Sequence, residues 1–161
     1  MAAREEILEK ISEAKTLRSL CRLLKNEGAT LHLQELVGGA LSSYAAAAIR
    51  KVGGVHIFVA EDRDAAAYLM NDRYALLDEE SVYFFPSAYK RSIAYGQEEA
   101  QGVVQRTSAL GAIRNCGAKG VAVLCTWPEA LAERVADADT VRRETIRVAV
   151  GERLAISALV E

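Results

Sequence analysis

A chain of 161 residues can bury a hydrophobic core of its own without disulfide staples. With 51% apolar residues, 26% charged residues and two prolines, the composition is globular and excludes a disordered or collagen-like chain. The net charge of −2 is spread without a basic stripe, which argues against autonomous binding to a phosphate backbone.

Cys21, Cys116 and Cys125 are widely spaced with no CxxC pair, so they predict thiols in a reducing cytoplasm and neither a disulfide framework nor a zinc site. Residues 1–10 carry charges throughout and do not form a signal peptide. The weakly polar stretch 37–49 is too short to span a bilayer, so a soluble, cytoplasmic protein is expected.

Ile7, Leu8, Ile11, Ala14, Leu17, Leu20 and Leu24 recur at three- and four-residue steps and predict one long first helix, stopped by Asn26, Glu27 and Gly28. A short strand is expected over 31–37, broken by Gly38 and Gly39 before an Ala-rich helix at 42–52. Residues 55–60 predict a buried parallel strand, and Asp62 caps the helix that follows from 64 to about 76. A third strand at 82–85 ends at Pro86, a loop occupies 87–97, and helical spacing returns over 98–115.

The fourth strand, 120–125, is the most apolar. After it, Thr126 and Glu129 have the spacing of a capping box, with Pro128 in the first turn of a helix that runs to about Val135. Thr145 to Val150 alternate in polarity and predict a half-exposed strand of a different kind.

Strand and helix thus alternate four times, which predicts an α/β fold with a parallel sheet flanked by helices. Residues 1–28 form an N-terminal helix, 29–140 an α/β domain, and 141–161 the start of a second, α+β domain. Residues 153–160 form an apparent helical run with no stop signal, so the chain reads as truncated within that domain.

In such a sheet the turn after the first strand, at the head of the next helix, is the natural anion site. A working phosphate loop there needs glycine for the wrap, lysine for the phosphate charge and a hydroxyl for magnesium. Gly38, Gly39, Ala40, Leu41 and Ser42 keep two glycines and the hydroxyl, but Ala40 and Leu41 stand in the glycine and lysine places. Glu35 stands where the loop's first glycine would be. The alternative to a degenerate loop is an ordinary Gly-Gly turn.

Residues 36–44, the strand and helix start at 55–69, the Phe84-Phe85-Pro86-Ser87-Ala88-Tyr89 segment and residues 121–135 with Thr126-Trp127-Pro128-Glu129-Ala130-Leu131 together resemble one known module. It is the UvrB-homology module at the start of bacterial transcription-repair coupling factors. The resemblance covers about residues 31–160. It implies a P-loop, helicase-like fold similar to the first domain of UvrB but without its ATP site, and hence a chain that is not an enzyme by itself. Only twelve residues separate Phe85 from Glu98, too few for the DNA-gripping β-hairpin that UvrB inserts there.

The resemblance further implies recruitment of UvrA, chiefly through the second domain. RNA polymerase, DNA, ATP and magnesium are implied only for other parts of the full-length factor, an ATP-dependent translocase that displaces stalled polymerase for nucleotide excision repair. The rival reading is a nucleotide-binding fragment of an active helicase or another P-loop or Rossmann-like enzyme, although no G-x-G-x-x-G is present. A self-contained regulatory α/β domain is a third.

Other features have simpler explanations. His32 and His56 lack partners at metal-ligand spacing and read as packing or edge residues. Tyr83, Phe84, Phe85, Tyr89 and Tyr95 read as core and loop packing more than as a base-stacking platform. Glu61 and Asp62 suit capping, and Asp78, Glu79 and Glu80 a solvated turn. Arg142, Arg143 and Arg147 are the nearest approach to a partner surface, but Glu144 and Glu152 among them favour a mixed exposed strand.

Overall fold

The computed structural model describes residues 2–88, 100–117, 120–135, 137, 139, 140, 143 and 151. In chain order these form α1 (Ala2–Glu13), α2 (Lys15–Leu23), α3 (Gly39–Val52), β1 (Gly54–Val59), α4 (Arg63–Leu76), a 3₁₀ turn (Glu79–Ser81), β2 (Val82–Phe84), α5 (Ala100–Asn115), β3 (Val121–Thr126) and α6 (Pro128–Ala132). The fold is α/β, a three-stranded parallel sheet in the order β1-β3-β2 flanked by helices. Among the described residues no helix is long and apolar enough to cross a membrane.

The single long helix expected at the N-terminus is two helices, because Ala14 adopts an extended conformation (φ −62°, ψ 136°). Geometry explains the break. Leu8 and Leu17 are nine residues apart, and at 3.6 residues per turn a straight helix would place them about 180° apart on opposite sides. The bend turns both toward α3, where they are buried in one cluster with Ala46, Ala47, Ala48 and Ile49. Burying each such leucine contributes about 1.5–3 kcal/mol, more than the bend costs in lost helical hydrogen bonds.

Polar contacts fasten the same interface. Arg50 donates to both carboxylate oxygens of Glu5 (2.7 and 3.1 Å), Lys51 Nζ donates to the Ser12 carbonyl (2.6 Å), and the Thr16 and Tyr44 hydroxyls share a hydrogen bond of 3.1 Å.

The strand expected at 31–37 is not formed. This stretch has no regular structure, Leu33 and Val37 are 51% and 81% exposed, and Glu35 has a positive φ of 64°. Its apolar residues are mainly leucines without the β-branched density of the later strands, and no described strand pairs with it. The described sheet therefore has three strands, where four were expected.

The remaining strands and helices form close to the expected positions. Asp62 caps α4 by accepting the Ala65 N–H at 2.8 Å.

In the register, Val55, Ile57 and Val59 stand beside Ala122, Leu124 and Thr126, while Val82 and Phe84 stand beside Val123 and Cys125. Since side chains alternate along a strand, the sheet has two distinct faces. One face, with Phe58, Val82 and Val123, packs under α3 and α4 through Ala47, Ile49, Met70, Tyr74 and Leu77. The other, with Tyr83, Phe85 and Leu124, packs under Ala109, Leu110 and Ile113 of α5.

β3, in the middle, is the most buried strand. β1 lies at the end of the order, and α5 does not reach across to it, so its burial alternates and Val55, Ile57 and Val59 are 41%, 53% and 52% exposed. That corrects the expectation of a fully buried strand at 55–60.

A second correction concerns Thr126. It does not cap α6 but completes β3, fully buried, and donates its hydroxyl to the Phe85 carbonyl at 2.9 Å. Trp127 takes the N-cap position without a side-chain bond, and α6 stops at Ala132, short of Val135. Burial wins here, because a hydroxyl sequestered between strands must find a partner across the sheet. The alternating segment at 145–150, the loop at 87–97 and the second-domain start lie largely or wholly outside the described residues.

Candidate functional site

The head of α3 is the first place to look for ligand chemistry. Gly38 occupies the N-cap with a positive φ of 56° and no side-chain cap, and α3 begins at Gly39. Both glycines are exposed, and a Cβ at either would meet nothing within 4 Å, so the backbone here is open. Free N–H groups and the helix dipole do converge at such an end. No strand precedes it, however, so the strand-turn-helix frame of a phosphate loop is not formed around it.

Two side chains at this helix head bear on the expected anion site. Leu41 is 41% exposed and brings no charge. Ser42 is buried, and its Oγ donates at 2.5 Å to Oδ2 of Asp72 on α4. The Ser42 hydroxyl, at the place where a phosphate loop would meet magnesium, is thereby engaged in a helix-to-helix bond. The bond also fixes a carboxylate beside the loop, where it would oppose a phosphate.

The second place is the C-terminal edge of the sheet, where open parallel sheets hold ligands in the crevice between strands whose connections leave to opposite faces. β2 leads to α5, while β3 leads to α6, which packs through Ala130 and Trp127 against Ala66 of α4 on the opposite face.

Arg106 of α5 fills the space between. It is 5% exposed, lies 4.2 Å over the Phe85 ring, and donates to the carbonyls of Pro86 (2.8 Å) and Ala130 (2.9 Å) and, through Nη2, toward that of Glu133 (3.4 Å). It also pairs with the Glu133 carboxylate at 3.4 Å. That carboxylate accepts from the Ser87 hydroxyl and, at 2.8 Å, from the Ala88 N–H.

Arg106 thus satisfies the last carbonyls of α6, the need that any helix C-terminus has. α5 comes close enough to Ser87 that a Cβ on Gly102 would stand 2.8 Å from its carbonyl oxygen. What the crevice holds is an internal brace of Arg106, Glu133 and Ser87.

Neither Arg106 nor Glu133 figured among the sequence-derived candidates. Arg73 was missed as well. Along α4, Ala66, Met70, Arg73 and Leu77 follow steps of four, three and four, the spacing of a core stripe, with a guanidinium where an aliphatic side chain would be ordinary. Arg73 is completely buried, its guanidinium carbon 4.3 Å over the Phe58 ring, and none of its three nitrogens has a hydrogen-bond partner among the described residues. Burial lowers its pKa, opposed by the neighbouring Cys125 and Asp72. Burial likewise pushes the Cys125 thiol up to about 11, with Arg73 opposing, so it stays protonated near neutral pH.

The remaining sequence candidates are scattered. His32 is exposed in the irregular segment, whereas His56 on β1 holds the Gly53 carbonyl at 2.9 Å. Glu61 and Asp62 follow β1, with Asp62 spent on its cap. Arg143 is exposed and donates to the Asp139 carbonyl and the Thr140 hydroxyl; Arg142 and Arg147 lie outside the described residues. Among the described residues no group of three or more His, Cys, Asp and Glu is placed to hold a metal ion. Compared with protein-family models, curated proteins and solved structures, the chain matches none.

Proposed function

We propose that this chain is the N-terminal module of a bacterial transcription-repair coupling factor, a helicase-like α/β unit akin to the first domain of UvrB, retained as a docking scaffold after loss of its nucleotide site. One observation carries the reading. At the head of α3, where a phosphate loop would offer lysine and a free hydroxyl, Leu41 is uncharged and the Ser42 hydroxyl is bonded to Asp72.

A carboxylate beside the site repels a bound triphosphate by about 1 kcal/mol or more even in a wet environment, with no ammonium at that position to offset it. The brace of Arg106 and Glu133 adds support, because it fills the crevice in which an open parallel sheet would hold a ligand.

On this reading the chain itself catalyses nothing. Residues 141–161 begin a second, α+β domain through which UvrA is chiefly recruited. RNA polymerase, DNA, ATP and magnesium are engaged by other domains of a cytoplasmic translocase.

Reading the gene downstream of Glu161 tests this directly. The account expects the rest of a second domain and, further on, a motor with an intact glycine-rich loop ending in Lys-Ser or Lys-Thr. A stop codon within the next few tens of codons would overturn it.

A further inference from the structure

We draw no further inference here: the strongest candidate, the half-exposed apolar face of the end strand β1 formed by Val55, Ile57 and Val59, carries nothing because no feature of the described residues shows what covers it.

Discussion

Ser42 on α3 donates its hydroxyl to the carboxylate of Asp72 on α4, at 2.5 Å and across 30 positions of sequence. The bond ties the mouth of the would-be phosphate loop to the neighbouring helix. Ser42→Ala should therefore cost about 1 kcal/mol of stability, the net worth of one partly exposed hydrogen bond to a charged acceptor. In a double-mutant cycle by urea unfolding, Ser42→Ala and Asp72→Ala should show a coupling of about 0.5 kcal/mol or more. Additive effects would mean that the contact does not hold the two helices together.

Arg73 is a cation buried with no hydrogen bond to its guanidinium. Replacing a poorly compensated buried charge with an apolar side chain of similar length is commonly neutral or stabilising, by about 1–4 kcal/mol. Arg73→Met should raise the urea midpoint at unchanged m-value, whereas Arg73→Ala should lower it by leaving a cavity beside Phe58. A lower midpoint for Arg73→Met would show that the cation over the Phe58 ring outweighs its desolvation.

Two glycines on α5 should respond in opposite directions to the same change. Alanine is favoured over glycine in a helix interior by about 1 kcal/mol. At Gly111 a Cβ meets nothing within 4 Å, so Gly111→Ala should raise the melting temperature. At Gly102 it would stand 2.8 Å from the Ser87 carbonyl oxygen, so Gly102→Ala should lower it by pushing α5 away from Ser87 and drawing Arg106 off the Pro86 carbonyl. Equal gains at both positions would mean that α5 does not pack closely on Ser87.

Much of this architecture is legible in the sequence. The β-branched run ahead of Glu61, the cap at Asp62 and the apolar segment at 120–125 each carry a local signal, and at the last of them burial reinforces it. The errors have physical causes. Helical periodicity continues through Ala14, but it cannot register that Leu8 and Leu17 must face the same neighbour. The polarity pattern at 31–37 resembles a strand, yet a strand needs a partner, and that is not a local property. Thr126 fits a capping box by spacing, while its burial is decided by Phe85, 41 positions away.

For the candidate site, the uncharged Leu41 at the head of α3 is legible in the sequence, but the bond from Ser42 to Asp72 is not. Arg106 and Glu133 carry no motif, and their meeting depends on how α5 and α6 converge. Arg73 was the exception, since a charge on the α4 core stripe was there to be read.

Glu5 and His56 both contribute to how stability changes below neutral pH. The neighbouring Arg50 and Arg4 hold the exposed Glu5 carboxyl down to about 2, so its contribution is present above its ordinary value of 4.5 and fades as pH falls from there toward 2. Burial lowers the His56 pKa below its ordinary 6.5, with the Gly53 carbonyl opposing. Its contribution is therefore complete above pH 6.5 and is lost as the pH falls through the lowered value, because the unfolded chain takes up the proton first. Urea unfolding should show stability declining below pH 6.5, and His56→Gln should flatten that decline. An unchanged slope in the variant would assign the decline to other groups.

On the proposed function the head of α3 takes no nucleotide. Calorimetric titration of the protein with ATP and magnesium at neutral pH measures this most directly. The account predicts no saturable heat up to millimolar nucleotide. Saturable binding with a Kd below about 100 μM, roughly −5.5 kcal/mol, that is lost in Ser42→Ala would contradict it.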